Sequence, residues 1–224
     1  MSDTPLGSPR ATSSQERRGQ LPLAVLFDAD GLLQHPKAGW VDRLAAYDTD
    51  DGEGFLEDLW EAEAPALRGE ETLRDGLLRL LRARGLDEGR VDELADLWDN
   101  IEVDEDAWQV VRDVRAAGIT TCLATNQQEH RKGLMLDLGY ADLVDTAFFS
   151  CDLRAAKPDP EYFERILVHL GIEPRDAARV VFLDDVEANV EAAASVGLTA
   201  LHHDPDTGAA NLRALLRSVG VPGV

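Results

Sequence analysis

The chain has 224 residues, of which 44% are hydrophobic and 29% charged, enough for one full core with a smaller accessory domain. Its net charge of -21 argues against nucleic acid, which is held by clustered Lys and Arg, and no apolar run approaches the ~18 residues of a membrane span. A phosphorylated ligand would be repelled at long range, so its site needs a local positive source: a metal, a lysine or a helix N-terminus.

Residues 1–20 are rich in Ser, Pro, Arg and Gln, show no apolar period and read as a disordered tail. They lack the apolar centre of a signal peptide, so a cytoplasmic location is expected. Residues 21–27 form an apolar run that reads as a buried strand feeding the turn Asp28-Ala29-Asp30-Gly31. Helical patterns follow at Val41, Leu44 and Ala45, then at Phe55, Leu56, Leu59 and Trp60. A third runs through Leu73, Leu77, Leu80 and Leu81, and a fourth through Val91, Leu94, Ala95, Trp98 and Ile101. Val110, Val111, Val114 and Ala117, closed by Gly118, predict the crossover helix before a strand at 119–124. One such helix is all that a βαβ unit needs. Residues 34–103 are therefore surplus and read as a helical cap, with the catalytic core in 21–33 and 104–224.

The rest alternates. A helix is predicted over 129–138 and a strand over 146–149, and a second helix has Asp159 as N-cap and Pro160 at its first position. A strand at 179–183 runs into Asp184-Asp185, followed by a helix over 187–196, a strand over 198–201 and a helix over 207–218. The expected class is α/β, a parallel sheet with helices on both faces.

Ligands of open parallel sheets sit beyond the carboxyl ends of the strands. Asp28 with Asp30, Thr125 with Asn126, and Asp184 with Asp185 fall at such ends, and Lys157 lies in a loop just before a helix. Each signal has a plain local explanation as a turn, a cap or a solvated helix start. Together they have the parts of phosphoryl transfer. Asp28 can attack phosphorus, and Asp30 can protonate the leaving oxygen and then deprotonate water. Clustered carboxylates call for a hard divalent cation such as Mg²⁺. Lys157, the Thr125 hydroxyl and the Asn126 backbone N–H can receive the phosphoryl oxygens, which answers the charge problem.

Asp28-Ala29-Asp30-Gly31-Leu32-Leu33, Ala124-Thr125-Asn126, Lys157-Pro158-Asp159 and Phe182-Leu183-Asp184-Asp185 resemble, in order, the four motifs of the haloacid dehalogenase superfamily. The stretches 157–163 and 182–189 look most like its sugar-phosphate phosphatases and the phosphatase domain of bifunctional epoxide hydrolases. The resemblance implies a Rossmann-like core with a C1 cap. It also implies Mg²⁺ on the Asp28 carboxylate, the Asp30 backbone carbonyl and Asp185, with Asp184 direct or through water. Dehalogenases of the family usually have Tyr where this chain has Asp30, so hydrolysis of a small phosphorylated metabolite is expected, by a monomer or homodimer. A phosphomutase uses the same parts; a 2-haloacid dehalogenase or a non-catalytic interaction protein fits them less well. After Leu33 many relatives carry Asp, Asn, Ser or Thr, whereas Gln34-His35-Pro36 follows here.

Other features read as structural. Cys122 and Cys151 are too few for a disulfide framework and are expected to be buried thiols. His202 and His203 should face opposite ways on an extended segment. Trp40, Trp60, Trp98 and Trp108 are expected to pack the cap or its junction, and residues 48–51 to form a solvated acidic loop.

Overall fold

In the computed structural model, which describes residues 21–48 and 50–224, regular structure starts at β1 (Ala24–Phe27), buried along its whole length. The tail expected over 1–20 lies outside the described residues. After a tight turn comes β2 (Gln34–His35) and then the helical insertion: α1 (Trp40–Ala45), α2 (Gly52–Leu67), α3 (Leu73–Ala83) and α4 (Val91–Ala95). α3 shows why these residues form helices. The Thr72 hydroxyl accepts from Asp75 N and donates to the Asp75 carboxylate, a reciprocal cap. Beyond that cap Leu73, Leu77, Leu80 and Leu81 fall on one buried face. These side chains join Leu44, Phe55, Leu59, Leu94 and Trp98 in a hydrophobic core belonging to the insertion alone.

The fourth helical pattern is broken. A 3-10 turn at Glu88–Arg90, α4 and a 3-10 turn at Asp96–Asp99 replace one continuous helix. Asp96 and Asp99 would put negative charge at the negative end of the helix dipole, and Ile101 packs into the main core instead. The acidic loop is also not simply solvated. Asp48 has a side chain only 15% exposed and accepts from Arg84, which also pairs with Asp51 and Asp58. Trp40, Trp60 and Trp98 form an aromatic cluster with centroids 5.8–6.4 Å apart. Trp108 stays in the main core, edge-on to Tyr140 at 4.9 Å.

The chain returns through β3 (Glu102–Val103), antiparallel to β2, a pairing too short for periodicity to reveal. Then come α5 (Glu105–Ala116), β4 (Thr120–Thr125), α6 (Glu129–Asp137), α7 (Tyr140–Leu143), β5 (Thr146–Phe149), α8 (Ser150–Leu153) and α9 (Pro160–His169). β6 (Val180–Asp184), α10 (Glu187–Ser195), β7 (Thr199–His202) and α11 (Gly208–Ser218) complete the chain. The sheet has five parallel strands in the order β5-β4-β1-β6-β7, the Rossmann-like arrangement expected. Strand residues alternate between two cores. Val25, Phe27, Leu123 and Leu183 meet α5 and α11 on one face, while Leu26, Cys122 and Phe182 meet α9 on the other. Both cysteines are buried free thiols. His202 meets the Asp185 carbonyl oxygen and His203 meets Asn211, on different partners as alternation requires. Among the described residues no helix is long and apolar enough to cross a membrane.

Candidate active site

Phe27 pairs with Leu123 of β4 on one side and Leu183 of β6 on the other, so three strands end side by side. Asp28 extends that edge by one residue, its backbone N donating to Leu183 O at 3.0 Å. The chain then turns instead of staying extended. The Ala29 carbonyl accepts from the N–H groups of Leu32, Leu33 and Gln34, and Gly31 takes φ 75°. Glycine suits that backbone, and a Cβ on Gly31 would lie 2.2 Å from Asp185 Oδ2, so any other residue has to push that carboxylate aside. The turn therefore carries Asp30 back over the strand ends and lets Asp185 lie against its backbone.

The result is a cleft of about 390 Å³ lined by Asp28, Asp30, Thr125, Asn126, Lys157 and Asp185, together with His35, Pro36, Val186 and Asn189. Of the residues singled out in the sequence, only Asp184 is not in its wall; it is fully buried behind it. A larger hollow of about 450 Å³ beside Trp108, Arg112 and Gly139 contains none of them.

Lys157 is the hub. Its Nζ, 1% exposed, donates to Asp28 Oδ1 at 2.7 Å and Asp184 Oδ2 at 2.6 Å. Asn126 sets the lysine's backbone: its Nδ2 donates to Lys157 O at 2.8 Å and its Oδ1 accepts from Lys157 N at 2.9 Å. The sequence pointed to the Asn126 backbone as a donor; its side chain has this further job. Asp184 is also held by Asn189 Nδ2 and the Val186 N–H, so its oxygens are largely engaged within the protein.

Burial pushes the Asp28 carboxyl up, opposed by Lys157 and reinforced by Asp184. Burial and the Asp184 charge likewise raise Asp185. Burial works against the Lys157 ammonium, but Asp28 and Asp184 outweigh it and hold the lysine above its ordinary value. Asp28, Asp184 and Asp185 each present an oxygen, all within 4.8 Å of one another. Three carboxylates against one ammonium leave an excess of negative charge, and an all-oxygen donor set fits a hard divalent cation.

Asp30 is fixed by residues the sequence reading did not single out. Its Oδ1 accepts from Gln34 Nε2 at 2.9 Å and Arg131 Nη2 at 2.6 Å, and its Oδ2 from Gln127 Nε2 at 2.7 Å. Tyr140 donates in turn to Gln34 Oε1 at 2.8 Å. The departure after Leu33 thus acquires a role, since Gln34 is buried and holds the second aspartate. The signals available in the sequence were that departure and the polar pair Gln127-Gln128 placed directly after a strand end.

Fold and cleft together define a Rossmann-like enzyme core with an acidic edge. The haloacid dehalogenase-like hydrolase model matches residues 22–197, and the chain belongs to that family. It is 36% identical over 121 residues to acyl-CoA dehydrogenase family member 10 of Mus musculus, a match covering 51% of this chain and 11% of that protein. It is 38% identical over 76 residues to flavin mononucleotide hydrolase 1 of Arabidopsis thaliana, covering 34% of this chain and 30% of the relative. The chain thus spans less than a third of either curated relative. A HAD family enzyme from Bacteroides thetaiotaomicron, solved with magnesium and inorganic phosphate, superposes with a TM-score of 0.64 at 18% identity. That superposition covers 82% of this chain and 94% of the other.

Proposed function

We propose that this hydrolase cleaves a small phosphomonoester through an aspartyl phosphate on Asp28, with Mg²⁺ as its cofactor. The observation that carries the reading is the pairing of Asp28 with Lys157 at 2.7 Å at the tip of the central strand, with Asp30 lining the same cleft. An Asp28 carboxylate oxygen attacks phosphorus as the ester P–O bond breaks, and Asp30 gives its proton to the departing alkoxide. Water then attacks the aspartyl phosphate, Asp30 takes the proton back, and orthophosphate leaves with Asp28 restored. Lys157 faces the charge on the phosphoryl oxygens. Bound Mg²⁺ would be held by Asp28 and Asp185, with Asp184 behind them, and would supply neutralisation of the phosphoryl charge. Asp30 in place of a tyrosine supports phosphorus over C–halogen chemistry. The flavin mononucleotide hydrolase among the relatives and the magnesium and phosphate in the Bacteroides enzyme support it as well.

The test is turnover of a panel of sugar phosphates, nucleotides and phosphoglycolate with Mg²⁺, following orthophosphate and identifying products by mass spectrometry. Orthophosphate release that needs Asp28 supports the reading. An isomerised sugar phosphate instead identifies a mutase, and no turnover across the panel removes the phosphatase assignment.

A further inference from the structure

A carboxylate on a turn, such as Asp30 with its side chain 43% exposed, has no strand to fix its direction. What fixes it is buried on α6. Arg131, with a side chain 6% exposed, donates to Asp30 at 2.6 Å, and its own backbone N–H is held at 3.0 Å by Gln128, the N-cap of that helix. Two donors of this pair, Arg131 Nε and Gln128 Nε2, are buried without a hydrogen-bond partner among the described residues. Buried guanidinium and amide donors without acceptors are costly.

Besides Asp30, a buried carboxylate of the insertion lies in their field. Glu63 of α2 is held at 2.7 Å by Trp98 Nε1, within the insertion's own aromatic cluster. Burial pushes its carboxyl up to about 7, drawn back by Trp98, Arg131 and Gln128 and raised further by Asp30, so it lies in the field of both partners of the core ion pair. The neighbouring residue on α6 makes a second tie to the insertion, His130 Nε2 meeting Asp99 Oδ1 at 2.6 Å. The first turn of α6 is therefore a seam between insertion and core, and it carries the group that holds Asp30.

We propose that Arg131, fixed in the first turn of α6 where the insertion docks through Asp99 on His130, is the positioning residue for Asp30. This rests on the phosphomonoesterase reading. Positioning of a proton donor matters most for a poor leaving group and least for one that departs as a stable anion.

The experiment compares kcat for p-nitrophenyl phosphate and a simple alkyl phosphate in wild type, Arg131→Met and Arg131→Lys. Arg131→Met is expected to lower kcat on the alkyl ester by at least roughly tenfold, a fraction of the ~10²–10⁴ that general acid–base help supplies. The nitrophenyl ester should lose far less, with KM for both esters unchanged. Arg131→Lys should recover part of the loss. Equal losses on both esters, or none, overturn the proposal. If Arg131→Met does not fold, Arg131→Lys decides alone, and a wild-type ratio between the two esters overturns it. A folded wild type that hydrolyses neither ester removes the parent reading and this one with it. Turnover that depends on Asp28 with unselective Arg131 variants removes this one only.

Discussion

Gly31→Ala tests the cleft at its tightest point. The new Cβ would stand 2.2 Å from Asp185 Oδ2 and 2.6 Å from Asp185 Cγ, closer than real contacts permit. The backbone there, at φ 75°, costs an L-residue about 1–2 kcal/mol. The obstacle is the end of a side chain, which can swing aside, so the stability loss should stay near that figure. For a chain of this size the melting temperature then falls by about 2–8 °C. The functional loss should be larger, because the swing takes Asp185 out of a group whose oxygens lie within 4.8 Å of one another. Mg²⁺ affinity by titration calorimetry should weaken by at least roughly tenfold, about 1.4 kcal/mol. Thermal melts with and without Mg²⁺ give the second readout, since an ion that binds only the folded state raises the melting temperature less when its site is damaged. A variant that melts lower yet binds Mg²⁺ as tightly as wild type would refute the reasoning, because Asp185 would then be no ligand.

Asp28→Asn keeps the shape but loses the nucleophile, and turnover should fall by at least roughly a thousandfold, ~4 kcal/mol of barrier; near-normal kcat would end the covalent mechanism. Asp30→Asn should cost ~10²–10⁴ in rate while calorimetric Mg²⁺ affinity changes little. Lys157→Met strands two buried carboxylates, Asp28 and Asp184, and urea unfolding should show a loss of ~3–5 kcal/mol, the usual effect of breaking a buried pair. Glu63 is raised from an ordinary 4.5 to about 7, so between those values the folded chain holds a proton that the unfolded chain has released. Its contribution to stability therefore falls as pH rises through that window and is level above it. Glu63→Gln should remove this component, so the wild-type-minus-variant difference in denaturant midpoint should fall as pH rises from 4.5 to about 7, and a flat or rising difference would show the sign to be wrong.

The parallel sheet was readable because its strands are buried on both faces and appear as apolar runs between turn signals, as at 180–183 ahead of Asp184. Asp28, Thr125, Asp184 and Asp185 were readable for the related reason that they end such runs. Arg131 was not, since an arginine in the first turn of a short helix looks like any solvated residue. The helix that carries it packs against the turn at Asp96–Asp99, and its ion pair is with Asp30, a contact between positions far apart in the chain. Gln34 was noticed only as a departure, because its hydrogen bonds to Asp30 and from Tyr140 cross 4 and 106 residues. The acidic loop was misjudged in the same way: Arg84, which neutralises Asp48, lies 36 residues further on. Periodicity reports which face of an element is buried, and it is silent on which distant partner buries it.

The insertion leaves and rejoins the core through one narrow neck, where Gln34 faces Val103, His35 faces Glu102, and Asp104 N donates to Leu33 O at 3.0 Å. Its two ends are tied together before any of its helices contributes. Lengthening a segment whose ends are already joined carries only a slow logarithmic entropy penalty. The insertion also has a hydrophobic core of its own, so the packing of the sheet does not depend on most of what fills the space between residues 36 and 101. The register of β1 on β4 and β6 is set below the neck and is indifferent to changes above it. The architecture is thus one in which a lineage can trade heads on a constant engine, and diversification can proceed by exchange of a module without repeated repair of the sheet.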